Sequence, residues 1–152
     1  MSNEDQFRVT RSFEELKPLI ESIPYARYMN FSVMRDGGDV VVCMPFGESR
    51  IGNASLRAIH GGALGALMEF AAICQLLTVS EVARVPKIIS NTVEYLRSTS
   101  QVETFARASI TRRGRQIANV KTIAYQNDIN KPVATARAHF LLASKAKNEV
   151  SS

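Results

Sequence analysis

Residues 58–77 read AIHGGALGALMEFAAICQLL, and from Ala63 to Leu77 nearly every position except Gly65, Glu69 and Gln75 is apolar. A helix lying on a protein surface keeps a polar face, whereas one that is apolar all round has to be enclosed by its surroundings. This is the tightest constraint in the chain, because everything else must supply walls for that helix. Glu69 stands against it. A carboxylate taken out of water is costly unless it is paired, and ionisable groups held in such places concentrate at functional sites.

The 152 residues suit one compact domain spanning 1–152. The opening MSNEDQFRVT carries acidic residues and no apolar run, so it reads as neither a secretory signal nor a transit peptide and points to a cytoplasmic protein. Gly61 to Ser80 approaches the ~20 residues of a bilayer span, but Glu69, Gln75 and the glycine pair argue against one, and no membrane partner is expected. Cys43 and Cys74 are too few for a disulfide framework and read as reduced, buried residues. Nineteen Lys and Arg against fourteen Asp and Glu give +5, which favours anionic partners in general. The basic residues form no long block and no nucleic-acid-binding signature is present, so nucleic acid is not an expected partner. No zinc spacing, P-loop or dinucleotide fingerprint appears, and neither a metal nor a redox cofactor is implied.

RSFEELKPLIESIP reads as an amphipathic helix at about 12–22, with Ser12 and Glu15 placed as a capping box, Pro24 beyond its end, and Phe13, Leu16, Leu19 and Ile20 as the apolar stripe. Asp36-Gly37-Gly38-Asp39 predicts a hairpin turn between two extended runs. GESRIGNASLRAI, rich in small and polar residues, reads as a loop leading to His60. After Pro86 the period becomes two. Ala106, Ala108 and Ile110 alternate with Arg107, Ser109 and Thr111; Ala118, Val120 and Ala124 oppose Asn119 and Lys121; Ala134, Ala136, Ala138 and Phe140 alternate with Thr135, Arg137 and His139. Turns at Arg113-Gly114-Arg115 and Asn127–Lys131 separate these runs. The expected class is α+β: one long helix wrapped by an antiparallel sheet of about five or six strands, whose small alanines allow close approach.

A helix opening on His60-Gly61-Gly62 offers unpaired N–H groups and the positive end of its dipole, a place for an oxyanion. Glu69 lies eight residues beyond Gly61, ~12 Å along the axis at ~1.5 Å per residue. One chain therefore cannot bring both to a single carbon. Two copies with these helices antiparallel would set Glu69 of one against Gly61 of the other.

HGGALGALME, VEYLRST, RRGRQIANV and KPVATARAHFLL, in this order, resemble the hotdog-fold acyl-CoA thioesterases of the phenylacetate-pathway (PaaI) type over roughly residues 25–143. The resemblance implies a hotdog fold, a homodimer assembling to a tetramer, and hydrolysis of acyl-CoA to free acid and coenzyme A, which enters only as part of the substrate. It assigns Gly61 the N–H that polarises the thioester carbonyl and Glu69 the role of general base or nucleophile. His60 would mostly shape the turn, with direct proton transfer as its lesser catalytic role, Gly62 would serve close packing or turn geometry in the substrate-binding set, and Arg112, Arg113 and Arg115 around Gly114 would lie near the coenzyme A phosphates. Arg97 is a weaker candidate of the same kind. Met68, Phe70, Ile73 and Leu77 would line the core or an acyl pocket. Two positions depart from the pattern. Ala54 stands where the family places Asn or Gln, with Asn53 beside it as the possible substitute, and Ile88 stands near a family Ser or Thr, with Ser90 and Thr92 close by. Two alternatives stay open: a non-catalytic acyl-CoA-binding module, which these departures motivate, and a thioester dehydratase or hydratase, which also uses a helix carboxylate.

Overall fold

The computed structural model describes residues 12–79 and 84–142. The N-terminal decapeptide read above lies outside the described residues. Element order is α1 (Phe13–Glu21), α2 (Pro24–Tyr28), β1 (Ser32–Asp36), β2 (Asp39–Met44), β3 (Ile51–Asn53), β4 (Ala58–Ile59), α3 (Gly61–Val79), β5 (Lys87–Tyr95), β6 (Thr104–Arg113), β7 (Ile117–Tyr125) and β8 (Ala134–Leu141).

The capping box forms as expected. Ser12 N–H donates to Glu15 Oε2 at 2.7 Å and Glu15 N–H to Ser12 Oγ at 3.3 Å, so two N–H groups at the start of α1 are satisfied. Leu16 and Ile20 bury the helix face. Pro24, read from sequence as following the helix, also opens the short α2, where a missing N–H costs nothing. The hairpin turns on Gly37, at φ +64°, and Gly38. Asp36 and Asp39 face each other across it, a repulsion that Arg107 relieves by pairing with both.

Six strands form one antiparallel sheet in the order β1-β2-β6-β7-β8-β5. Its inner face is the alternating set read from the sequence: Ala106, Ala108, Ala118, Val120, Ala124, Ala134, Ala136, Ala138 and Phe140 are buried against α3. Thr122 joins them at 2 % exposure, a polar residue that the apolar pattern passed over. The segment 47–59, expected as plain loop, instead holds a short 3-10 turn at Glu48–Arg50 and the two-stranded ribbon β3–β4. Composition hid this ribbon because it is three and two residues long, too short to display a period.

Helix α3 runs through the curve of the sheet. Leu67, Met68, Ala72, Cys74, Leu76 and Leu77 are fully buried. By length and mean hydropathy (1.7) it could cross a membrane, yet 61 % of that window is buried inside the protein, as befits a core helix. Both cysteines are free and buried; burial, with Glu103 nearby, pushes the Cys43 thiol up to about 11, and burial pushes Cys74 up as well.

Close approach of sheet and helix rests on the alanines. We expect Ala106→Leu, which adds bulk at a fully buried position, to lower stability by ~1–3 kcal/mol in chemical denaturation. Unchanged stability would mean that the sheet can give way at β6.

Candidate active site

Four hydrogen bonds fix the turn into α3. Ile59 N–H donates to the buried Thr99 Oγ1 at 2.7 Å, and His60 N–H to Arg50 O at 2.7 Å. Gly62 N–H donates to His60 Nδ1 at 2.8 Å, and the Tyr95 hydroxyl donates to Gly61 O at 2.8 Å. Ala63 and Leu64 N–H both turn back to His60 O. Every N–H from Ile59 to Leu64 is thus engaged except that of Gly61, which has no acceptor among the described residues. The free donor sits where the helix dipole is most positive.

His60 is the N-cap. Accepting through Nδ1 assigns the ring proton of the neutral form to Nε2. The glycines have distinct steric reasons. A Cβ on Gly61 would lie 2.9 Å from the Tyr95 ring, one on Gly62 2.9 Å from His60 Nδ1, and one on Gly52 2.6 Å from His60 Cα. Sequence reading singled out the first two. Gly52 escaped it because the close approach comes from pairing between β3 and β4.

Glu69 lies two helical turns on, half-buried, and has no hydrogen-bond donor among the described residues. It faces a cleft of about 440 Å³ lined mainly by apolar groups, among them Ile23, Tyr25, Phe31, Phe70 and Ile73. Desolvation raises its carboxyl pKa above the ordinary Glu value. Of the four residues read as core or acyl-pocket lining, Phe70 and Ile73 line this cleft, while Met68 and Leu77 belong wholly to the core.

Gly61 opens into a different cleft, about 450 Å³, together with Asn53, Tyr95, Arg97 and Thr99. Asn53 Oδ1 accepts from Leu56 N–H at 3.0 Å, closing its own loop. A third cleft, about 800 Å³, is lined by Arg112, Gly114, Arg115, Gln116, Ile117 and Asn119. Arg113 is separated from its neighbours, its guanidinium donating to Val79 O at 2.8 Å at the C-terminal end of α3. Within one chain the expected site residues other than Arg113 therefore fall into three groups, with Glu69 and Gly61 apart, as their spacing required.

Residues 51–141 match the family model described as the acyl-CoA thioesterase N-terminal domain. The chain belongs to this family. It is a thioester hydrolase with the hotdog fold, which selects the hydrolase among the three readings of the sequence. A protein of Chromobacterium violaceum is 35 % identical, with a TM-score of 0.70 over 86 % of this chain and 91 % of that one. The PaaI protein from the phenylacetic acid degradation operon of E. coli shares the fold at 19 % identity, TM-score 0.74, covering 87 % and 93 % of the two chains. So does a Bacillus halodurans protein solved with CoA, at 20 % identity, TM-score 0.73, covering 87 % of each. A search of curated proteins returns no match.

Because burial raises the Glu69 pKa, the folded thioesterase binds that proton more tightly than the unfolded chain. Stability then falls as pH rises from the ordinary Glu value through the raised one, and above it the unfavourable burial of the ionised form is fully present. Glu69→Gln should raise Tm at about pH 7, with the gain closing as pH drops below the ordinary carboxylate range. Thermal melts of both proteins across that window check it, and a lower Tm for the variant at neutral pH would contradict it.

Proposed function

We propose that the enzyme hydrolyses acyl-CoA in a site built from two copies of the chain, with Glu69 from one and Gly61 from the other. The supporting observation is that Glu69, without a hydrogen-bond partner among the described residues, and the N–H of Gly61, the one left free in the turn Ile59–Leu64 among those residues, stand in separate clefts of one chain. Two features of the fold favour the pairing. Strand β5 is a nine-residue sheet edge with Ile89, Tyr95 and the following Leu96 about half exposed, the kind of edge that pairs with another strand. On α3 the incompletely buried positions Gly62, Gly65, Ala66 and Glu69 recur every three or four residues, a stripe of small side chains that lets a second helix come close. Antiparallel pairing of β5 with its copy about a two-fold axis lays the α3 helices antiparallel and creates two identical sites.

In such a site the Gly61 N–H donates to the thioester oxygen and strengthens its bond as negative charge develops there. Glu69 either removes a proton from water, whose oxygen adds to the carbonyl carbon, or adds to it directly. In the first route the C–S bond breaks, and the proton held by Glu69 passes to the departing coenzyme A thiolate. In the second, the thiolate leaves an anhydride that water then opens. The raised Glu69 pKa suits both, since a weaker acid is the better base. The acyl group would occupy the apolar cleft beside Glu69, and Arg112 and Arg115 would serve the coenzyme A phosphates. Carboxylate and water suffice for the chemistry, so no resident metal or cofactor enters the proposal. Assembly to a tetramer and a cytosolic location belong to the same proposal.

Mixing tests the shared site. Glu69→Gln and Gly61→Ala homodimers should each be inactive in a thiol-release assay. Co-refolded, they should recover about a quarter of wild-type activity, because random pairing makes about half the dimers mixed and each mixed dimer keeps one intact site. No recovery would overturn the shared site. Single-turnover hydrolysis in ¹⁸O-water separates the routes: direct attack, with water opening the anhydride at the Glu69 carbonyl carbon, leaves the first product acid carrying oxygen from Glu69, whereas base catalysis labels it from water at once.

A further inference from the structure

The two positions where this chain departs from the thioesterase pattern leave no obvious holder for the attacking water. Asn53 Oδ1 is engaged by Leu56 N–H. Ser90 and Thr92 stand opposite the exposed His139 and Arg137 and share the outer face of the sheet, where Ser90 Oγ lies 2.8 Å from His139 Nδ1. Simple alternation from the inward Ile88 would have turned both toward the helix. A β-bulge between Ile88 and Ser90 reverses the parity, because one extra residue on one strand flips every side chain that follows. Ile88, opposite buried Phe140, is therefore followed on the inner face by Asn91 opposite buried Ala138, Val93 opposite Ala136, and Tyr95 opposite Ala134.

Asn91 is thus a polar side chain on the helix-facing side of the edge strand, exposed in the single chain, and its amide has no hydrogen-bond partner among the described residues. Its height along the helix follows from Tyr95, whose hydroxyl holds Gly61 O. Strand β5 then runs back toward the C-terminal end of α3, since only residues 80–86 join Val79 to Lys87. Four residues of strand at ~3.4 Å each put Asn91 ~13 Å from Tyr95. That matches the ~12 Å from Gly61 to Glu69 along α3. Pairing that sets a partner's Gly61 against Glu69 must also bring the partner's Tyr95 opposite Asn91, with the two-fold axis near Val93.

We propose that Asn91 is a positioning residue of the shared site, its Oδ1 accepting a hydrogen bond from the attacking water while Glu69 of the same chain accepts the other, under the thioester polarised by the partner's Gly61. This rests on the shared-site reading above, and the bulge is what delivers it. The water loses its proton to Glu69, and the Asn91 amide stays neutral throughout.

Asn91→Ala should lower kcat by about 100-fold, the scale expected when a reacting group loses its placement. KM, dimer mass by light scattering and Tm should stay near wild type. Asn91→Asp should move the acid limb of the pH–rate profile upward, because a second carboxylate beside Glu69 disfavours its ionisation. In mixing experiments Asn91→Ala should be rescued by Gly61→Ala but not by Glu69→Gln, since Asn91 and Glu69 serve the same site from the same chain. Wild-type kcat for Asn91→Ala, with Glu69→Gln inactive and the Glu69–Gly61 mixture restored, overturns the role of Asn91 and leaves the shared site standing. Failure of the Glu69–Gly61 mixture overturns the shared site itself, and rescue of Asn91→Ala by Glu69→Gln overturns the placement of Asn91.

Discussion

Enclosure of α3 is the constraint from which the rest of the fold follows. A nineteen-residue helix with almost no polar face is stable in water only if other elements remove most of its surface. Six strands do so by curling around it, and they come close enough because their inner faces carry alanine where a flatter sheet could carry leucine or valine. The sheet ends at β1 and β5 and does not close around α3. What remains open is the stripe from Gly62 to Glu69 and the edge of β5, so the same requirement that builds the core also leaves one apolar seam unfinished.

At the N-terminal end of that helix, the four orphan N–H groups every helix carries are dealt with unequally. Three are satisfied: that of His60 by the Arg50 carbonyl, that of Gly62 by the His60 ring nitrogen and that of Ala63 by the His60 carbonyl. The Gly61 group is left over, held in place from behind by Tyr95. Rigid neighbours around one free donor are what electrostatic stabilisation of an oxyanion demands, since a donor that must first reorganise contributes less. In the proposed site the histidine that looks chemically suggestive in the sequence acts as structure, and the glycine beside it offers the donor.

Much of this was legible in the residues. The enclosed helix, the capping box at Ser12, the Gly37-Gly38 hairpin and the alternating alanines each express a periodicity or a local backbone demand, and each appears where it was expected. The solitary Glu69 was visible because a charge in an apolar helix breaks a pattern. What stayed hidden depends on pairing between distant segments. Gly52 matters only because β4 returns beside β3, and Arg113 leaves its arginine neighbours only because α3 ends next to β6. Asn91 was concealed by the bulge: alternation counted from Ile88 selects Ser90 and Thr92, and no local residue signals the extra step.

The bulge also explains how an enzyme can lose the side chains expected at two positions and keep an inward polar group on the same strand. Shifting parity by one residue exchanges the entire inner set of β5 after Ile88 without altering its composition, so Asn91, Val93 and Tyr95 replace Ser90, Thr92 and Glu94 facing the helix. Val93 and Tyr95 gain by this, Val93 against the core and Tyr95 with its hydroxyl on the Gly61 carbonyl. Had the strand stayed regular, Glu94 would have faced the start of α3 in place of Tyr95, the Gly61 carbonyl would have lost its donor, and a carboxylate would have stood at the turn proposed to receive an oxyanion. The register that orients the turn is therefore the same register that brings Asn91 to the level of Glu69.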